Sequence, residues 1–239
     1  MKNFTKQTIA RCAFILALLL ANAVQAQQVK GNGNLQTQTR KVSGFTGVKV
    51  SGGFAVEIKQ GNKEEVRIEA EENLMDNIKT VVKNGVLHIY SEGSINTKKG
   101  MKAYVTVDKL NKVDISGGVK VVGLSTFKAN TFDLDMSGGS NVKLAIDATT
   151  ITADMSGASK VVLTGRANEV SLDMSGASNV DASELVAKKV KVGASGASKV
   201  KVNASELLDI NASGASHVAY AGSPRINAET TAATRITKL

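Results

Sequence analysis

Four aspartates recur at one position of a repeated segment, and carboxylates at regular spacing can hold a cation. Asp114, Asp135, Asp154 and Asp173 each stand two residues before a Ser-Gly pair, at intervals of about 20 residues. If the repeats stack, these side chains form a ladder of like charges, which we call the acidic column. Because calcium neutralises carboxylates and prefers oxygen ligands, the acidic column is a candidate calcium site. The alternatives are solvated carboxylates, or carboxylates that accept hydrogen bonds from backbone amides.

Serine or carboxylate catalysis is the enzymatic alternative. The Ser-Gly pairs do not match Gly-x-Ser-x-Gly, and a serine repeated in successive copies is unlike a single activated nucleophile. The two histidines stand in unrelated contexts, so spacing assembles no catalytic triad. Asp154 and Asp173 beside Lys160 or Arg166 could serve a polysaccharide-degrading enzyme, but the chain has no Trp and only three Tyr for stacking on sugars. We therefore expect no catalytic residues, no cofactor and no enzymatic activity.

A second column of polar residues stands four positions after each repeated serine. We call it the polar column: Lys120, Asn141, Lys160, Asn179, Lys199 and His217. Alternation of lysine with a neutral residue keeps like charges apart on neighbouring strands, as expected of an outward surface. This column is the candidate contact surface for a polysaccharide or another cell-surface ligand, and the alternative is that its lysines serve solubility alone. Since aromatic residues make up only 4% of the chain, we do not expect nucleic-acid binding.

Both columns arise from one motif, apolar-x-apolar-Ser-Gly-(Gly/Ala)-x-x-Val. Its copies begin at Ser51, Ser116, Ser137, Ser156, Ser175, Ser195 and Ser213. A regular period with matched apolar positions is typical of a solenoid, in which each repeat buries its apolar face against the next. The motif therefore predicts an all-β fold: a right-handed parallel β-helix with coils of about 20 residues over residues 109–222.

Antiparallel β-hairpins are expected ahead of the β-helix, in residues 44–108, where they would cap the open end of the stack. Asn84-Gly85 lies between two alternating apolar stretches and predicts a tight type I′ hairpin, because both residues tolerate a positive φ. Residues 71–78 could form a single helical turn. Residues 27–43 are predicted to be a polar lead-in, and residues 223–239 a polar C-terminal tail.

Residues 1–26 have the features of a secretory signal peptide. A basic stretch precedes an apolar segment at 13–23 that is too short to span a bilayer, and small residues follow at 24–26. The single cysteine, Cys12, precedes the apolar segment, so the exported chain would have no disulfide and no lipid anchor. We expect a protein of the periplasm, the outer-membrane surface or the extracellular space, with no transmembrane segment after signal cleavage.

The N-terminal segments carry motifs in an order that resembles a known family. The segments at residues 45–52, 56–61, 66–70 and 84–89, followed by the Ser-Gly-Ala-Ser repeats, are similar to the family called putative auto-transporter adhesin, head GIN domain. The resemblance covers roughly residues 38–222. It implies an exported β-helical protein of Gram-negative bacteria, with an adhesin-like role.

Taken together, these observations predict an exported, non-enzymatic cell-envelope or surface protein with an adhesin-like binding or structural role. Its ligand would contact the polar column. Two alternatives remain open: a polysaccharide-degrading enzyme on a β-helix scaffold, and a purely structural, self-associating envelope protein that forms homo-oligomers.

Overall fold

The computed structural model describes residues 28–231 and 233–239, which are almost entirely β-strand. The predicted signal peptide and Cys12 lie outside the described residues. The strands are β1 (Val29–Lys30), β2 (Leu35–Arg40), β3 (Gly47–Gly52), β4 (Phe54–Gln60), β5 (Glu65–Glu71), β6 (Ile78–Lys83), β7 (Val86–Ser91), β8 (Ile95–Asn96), β9 (Met101–Val107), β10 (Lys112–Gly117), β11 (Lys120–Gly138), β12 (Asn141–Gly157), β13 (Lys160–Gly176), β14 (Asn179–Gly196), β15 (Lys199–Ala212), β16 (His217–Gly222), β17 (Arg225–Thr230) and β18 (Arg235–Lys238). A single 3₁₀ turn, Glu72–Leu74, follows β5.

The chain forms a β-solenoid of about seven turns with about 19 residues per turn. Strands β11 to β14 each run for 17 to 19 residues and pair in parallel with the strand one turn earlier. Equivalent residues of the motif face each other across these pairs, as Ser137 faces Ser156 and Ser156 faces Ser175. The predicted β-helix of parallel coils is thereby confirmed.

The interior is a continuous column of apolar side chains. Within one rung, Leu134, Met136 and Val142 are the inward residues, and each is almost completely buried. Burial of one such side chain stabilises the fold by roughly 1.5–3 kcal/mol. A single rung has no opposite face against which to bury them, so this stabilisation exists only when rungs stack.

Each rung turns a corner at its Ser-Gly pair, and the corners stack on one another. At Gly138, φ is +94°, a conformation that L-residues with a Cβ rarely adopt. In the same corner, the Oγ of Ser140 donates a hydrogen bond of 2.9 Å to the carbonyl oxygen of Gly117, which lies one turn earlier. Ser159 donates in the same way to the carbonyl oxygen of Gly138, over 3.2 Å. The buried serines therefore join the corner of each rung to the corner of the preceding one.

Antiparallel strands precede the solenoid, as predicted. β5 pairs with β2 on one side and with β9 on the other, while β6 and β7 form a hairpin. That hairpin turns at Asn84 and Gly85, whose φ values of 50° and 73° confirm the predicted turn with two positive φ angles. The 3₁₀ turn lies within the segment expected to be helical, and its Leu74 is completely buried.

Parallel pairing also continues outside residues 109–222. At the N-terminal side β3 pairs with β10 and β7, and β4 pairs with β11 and β9, all in parallel, so four strands of the hairpin region belong to the stack. At the C-terminal side β17 pairs with β15, and β18 pairs with β16. Residues 223–239 thus add strands to the solenoid, and β2 draws part of the polar lead-in into the sheet.

Candidate functional site

The stacked corners place the two candidate columns on opposite sides of the Ser-Gly turn. Each residue of the polar column is the first residue of a strand, from Lys120 in β11 to His217 in β16. The acidic column lies just before the corner, three residues from the C-terminal end of each of β10 to β13. A cationic surface and an anionic surface therefore run side by side along the solenoid.

The polar column is in register along its whole length. Lys120 faces Asn141, Asn141 faces Lys160, and the pattern continues through Asn179 and Lys199 to His217. The lysines and asparagines are exposed. The structure therefore places all six side chains in one outward row, as expected from their spacing.

His217 differs from the rest of the polar column. Its ring is half-buried, and Nε2 lies 2.9 Å from the hydroxyl oxygen of Thr237 in β18. β18 continues the stack beyond this rung, and the exposed Arg235 stands opposite His217.

The lysines of the polar column are not ion-paired in the described part of the chain. Within residues 28–231 and 233–239, Lys120, Lys160 and Lys199 form no ion pair, and neither does the nearby Lys143. Other exposed lysines do form one, such as Lys189, whose Nζ lies 3.1 Å from Glu169. The surface beside the corner therefore carries positive charge that the protein itself does not neutralise.

The acidic column is also in register, and its N-terminal half is neutralised by lysines. Asp114 faces Asp135, Asp135 faces Asp154, and Asp154 faces Asp173. The Nζ of Lys49 lies 2.7 Å from the Oδ2 of Asp114, and the Nζ of Lys112 lies 2.7 Å from the Oδ2 of Asp135, so each pair forms an ion pair. The motif spacing places Lys49 at the same position as the aspartates, but neither ion pair was predicted from the sequence.

Asp154 is the carboxylate that the structure leaves with the least compensation. Partial burial raises its pKa above the ordinary value of 3.8, and the charges of Asp173, Asp135 and Asp133 raise it further. The ionised carboxylate is therefore disfavoured in the folded state. The next rung ends the column, because Gly193 stands opposite Asp173.

The acidic column forms one wall of a shallow groove of about 650 Å³. The buried methionines Met136, Met155 and Met174 lie at its base, and Lys191 and Asn211 contribute at its C-terminal end. In the described part of the chain, no group of three or more His, Cys, Asp or Glu side chains could hold a metal ion. The calcium site therefore stays a prediction from the sequence.

The structure separates the residues considered for carbohydrate cleavage. Asp154 and Asp173 line the acidic groove, but Arg166 lines a second groove of about 600 Å³ with Asp147. Lys160 lies beyond the corner, in the polar column. Sequence spacing did not reveal this second groove, since its residues come from the variable segment between motifs.

One buried carboxylate outside both columns was also missed. Glu71 is fully buried at the end of β5, where it accepts hydrogen bonds from the backbone of Gly33 and Lys98 and from the hydroxyl of Thr97. These bonds, above all that from Thr97, hold the pKa of Glu71 below its ordinary value of 4.5. Glu71 binds the lead-in and the segment before β9 together, which is a structural role.

Comparison with known proteins agrees with this architecture. The family described as putative auto-transporter adhesin, head GIN domain, matches residues 44–224. The chain belongs to this family. The head GIN domain therefore includes the N-terminal antiparallel strands as well as the repeats. No curated protein matches the chain.

Solved structures share the fold of this head GIN domain at low sequence identity. A putative adhesin from Bacteroides fragilis superposes with a TM-score of 0.84 at 22% identity, covering 88% of this chain and 100% of that one. A putative lipid binding protein from Parabacteroides distasonis gives 0.75 at 21% identity, covering 89% and 100%. A putative adhesin from the same organism gives 0.73 at 20% identity, with the same coverage. These likenesses show the fold alone.

The head GIN domain shows no membrane-spanning helix in residues 28–231 and 233–239. The family description is adhesin-like, which agrees with a binding surface and does not suggest catalysis.

Proposed function

We propose that this protein is an exported, non-enzymatic component of the cell envelope or cell surface that binds an anionic polymer along the polar column. The observation that carries this proposal is the row of exposed lysines, Lys120, Lys160 and Lys199, that have no ion-pair partner among the described residues. The adhesin-like family description supports the same class of function.

The spacing of these lysines suits a repeating ligand. Adjacent rungs are about 4.8 Å apart, so lysines on alternate rungs lie about 9.6 Å apart. An extended polysaccharide with regularly placed carboxylate, sulfate or phosphate groups could contact several of them at once. Asn141 and Asn179 stand between the lysines and offer amide groups to the ligand's hydroxyls. Several weak contacts in a row would then add to one useful affinity.

The decisive experiment compares two triple variants that carry the same change in charge. One variant combines Lys120→Glu, Lys160→Glu and Lys199→Glu. The control combines Lys63→Glu, Lys128→Glu and Lys188→Glu, which are also exposed and also form no ion pair in the described part of the chain. Retention is measured on immobilised acidic and neutral polysaccharides, and on vesicles with anionic headgroups, since one structural relative is named a putative lipid binding protein.

We expect the polar-column variant to bind an acidic polymer at least about tenfold more weakly than the control variant does. Equal retention of the two variants would show that net charge alone drives binding, and the polar column would then not be the site. Polymer length is checked after incubation, because shortened chains would revive the polysaccharide-degrading alternative. Failure of the wild-type protein to retain any of these ligands would also contradict the proposal.

Export itself is tested at the N-terminus. If residues 1–26 are a cleaved signal peptide, the protein recovered from a Gram-negative host begins at Gln27 and is found outside the cytoplasm. Full-length protein in the cytoplasm would contradict the proposed location without bearing on ligand binding.

A further inference from the structure

The two ends of the solenoid differ in how they are covered. At the N-terminal end the antiparallel strands and the 3₁₀ turn bury the last apolar residues, among them Phe45, Leu74 and Ile78. At the C-terminal end, every residue of β17 is exposed, and the inward-facing Ile226 keeps 37% of its surface accessible. Within the described residues β17 has one strand neighbour, β15, so its other edge is free.

The free edge of β17 still has backbone groups to pair. The N–H of Thr231 points to β15, where it donates to the carbonyl of Ala212 over 3.2 Å. Since backbone groups alternate in direction along a strand, those of Ile226, Ala228 and Thr230 point away from β15. An exposed edge of this kind can pair with another strand unless charges or prolines block it.

The side chains of β17 are complementary to themselves in one register. In an antiparallel pair with a second copy, centred on Asn227, Arg225 lies opposite Glu229 of that copy, and Ile226 lies opposite Ala228. Opposite charges meet on the outer face, and apolar residues meet on the inner face, which continues the core. The backbone N–H and C=O groups of Ile226 and Ala228 point to the free edge of β17. This register pairs Ile226 with Ala228 of the second copy, so these groups can form hydrogen bonds between the two strands.

The other terminal strand, β18, does not have side chains that are complementary to themselves. In the two-fold registers of β18 centred on Ile236 or Thr237, Arg235 lies opposite Thr237 or Leu239 of the second copy, so no pair of opposite charges forms. β18 has only four residues, with two cations and no carboxylate, so β17 is the terminal strand whose charges favour self-pairing.

We propose that β17 is a docking edge for a second copy of this chain, with which it forms a two-fold antiparallel strand pair centred on Asn227. Two solenoids would then join at their C-terminal ends into one longer solenoid. This surface lies apart from the polar column, and the inference does not depend on the proposed ligand.

The test is sedimentation velocity of the purified protein over a wide range of concentrations. The wild-type protein is expected to form a concentration-dependent dimer. Arg225→Glu alone, or Glu229→Arg alone, should raise the dissociation constant about tenfold or more, because both symmetric contacts become repulsive. The double variant that exchanges the two charges should restore the dimer. Both residues are exposed, so thermal unfolding should show that the variants still fold.

A second variant tests the strand pairing itself. Ala228→Pro removes an N–H group that points to the free edge and should abolish the dimer while the monomer stays folded. A protein that is monomeric at every concentration overturns the proposal, and would leave the edge for a strand of another protein or for none. A dimer that is unchanged by the single charge reversals, or that the double variant fails to restore, also overturns it. The polar-column triple variant should leave the dimer intact.

Discussion

The ammonium group of Lys49 lies 2.7 Å from the carboxylate of Asp114, and the two residues face each other on adjacent rungs. Lys49 occupies the position that Asp135, Asp154 and Asp173 hold on later rungs. The first aspartate of the acidic column is therefore paired with a cation, and the aspartates without an ion-pair partner among the described residues lie near the C-terminal end of the column. Because both side chains are partly exposed, the ion pair contributes little stability by itself, about 0–1 kcal/mol. Its effect is to determine where along the column repulsion remains.

Asp154→Asn should stabilise the protein at neutral pH. The pKa of Asp154 is raised in the folded state, mainly by partial burial and then by neighbouring carboxylates, so its ionised form favours unfolding. Replacement by a neutral side chain should raise the free energy of unfolding by about 0.3–0.5 kcal/mol. The gain is small because solvent screens the charge of an exposed group. The gain is present above the raised pKa and disappears as the pH falls below the ordinary value of 3.8. Urea unfolding at pH 7 and pH 3 measures it.

The matched control for Asp154 is Asp114→Asn, which removes the partner of Lys49. This variant should not stabilise the protein at pH 7, because an attractive contact is lost instead of a repulsive one. A similar gain in both variants would mean that the lysines do not compensate the column as the distances indicate.

Gly138→Ala should be strongly destabilising, whereas Gly139→Ala should be tolerated. At Gly138 φ is +94°, and an added Cβ would lie 2.8 Å from the carbonyl oxygen of Gly117. The strained backbone and the contact together should cost about 2–3 kcal/mol. At Gly139 a Cβ would meet nothing within 4 Å, and alanine stands at this position in later repeats. Equal unfolding midpoints for the two variants would contradict the corner geometry.

Ser140→Ala should cost more stability than Ser137→Ala. Ser140 is buried and donates a 2.9 Å hydrogen bond to Gly117, so its loss should lower the free energy of unfolding by about 1 kcal/mol. Ser137 is exposed, and its contact with the carbonyl oxygen of Ile115 is 3.5 Å long, so its loss should have almost no effect. Chemical denaturation of both single variants in parallel distinguishes the two serine columns.

Glu71→Gln should loosen the two segments that this buried carboxylate joins. A neutral amide has one acceptor oxygen in place of two charged ones, so either Gly33 or Lys98 loses the acceptor of its backbone N–H, and the other keeps only an uncharged one. Hydrogen exchange at these two amides should become faster than in the wild-type protein. The control is Glu72→Gln, since Glu72 is exposed and adjacent. Unchanged exchange in Glu71→Gln would contradict the role assigned to Glu71.

The same carboxylate should respond to pH in a defined direction. The pKa of Glu71 is lowered in the folded state, with the hydroxyl of Thr97 as the largest cause. Its contribution to stability is therefore present above the ordinary pKa of 4.5 and is lost as the pH falls through the lowered value. In Thr97→Val the pKa of Glu71 should rise, which a carboxyl-resolved NMR titration would detect.

The solenoid was predictable from the sequence because the same residue types recur at the same motif positions in each repeat. Val142, Val161 and Val180 stand at one position of the motif, and the structure stacks them in register and buries them. The hairpin at Asn84 and Gly85 was equally predictable, since a two-residue turn with positive φ values depends on local sequence alone.

Features without a repeated signal could not be found in this way. β17 and β18 carry no Ser-Gly motif, so the tail did not show that it pairs with the rungs before it. Glu71 has partners 38 and 26 residues away, and two of its donors are backbone amides that any residue supplies. The ion pairs of Lys49 and Lys112 depend on side-chain reach between rungs, which the motif does not encode.

The stacked Ser-Gly corner has a consequence for how such a chain can change length during evolution. Residue 156 is followed by Gly157 in one copy, and residue 175 by Gly176 in the next, so excision of residues 157–175 would leave a continuous motif. The flanking rungs would meet through the same glycine and serine contacts that they already make. The molecule would shorten by about 4.8 Å, and the two rungs that become neighbours would need no new kind of contact. Insertion would work in the same manner, so duplication and loss of whole rungs are the natural steps by which members of this architecture would diverge in length.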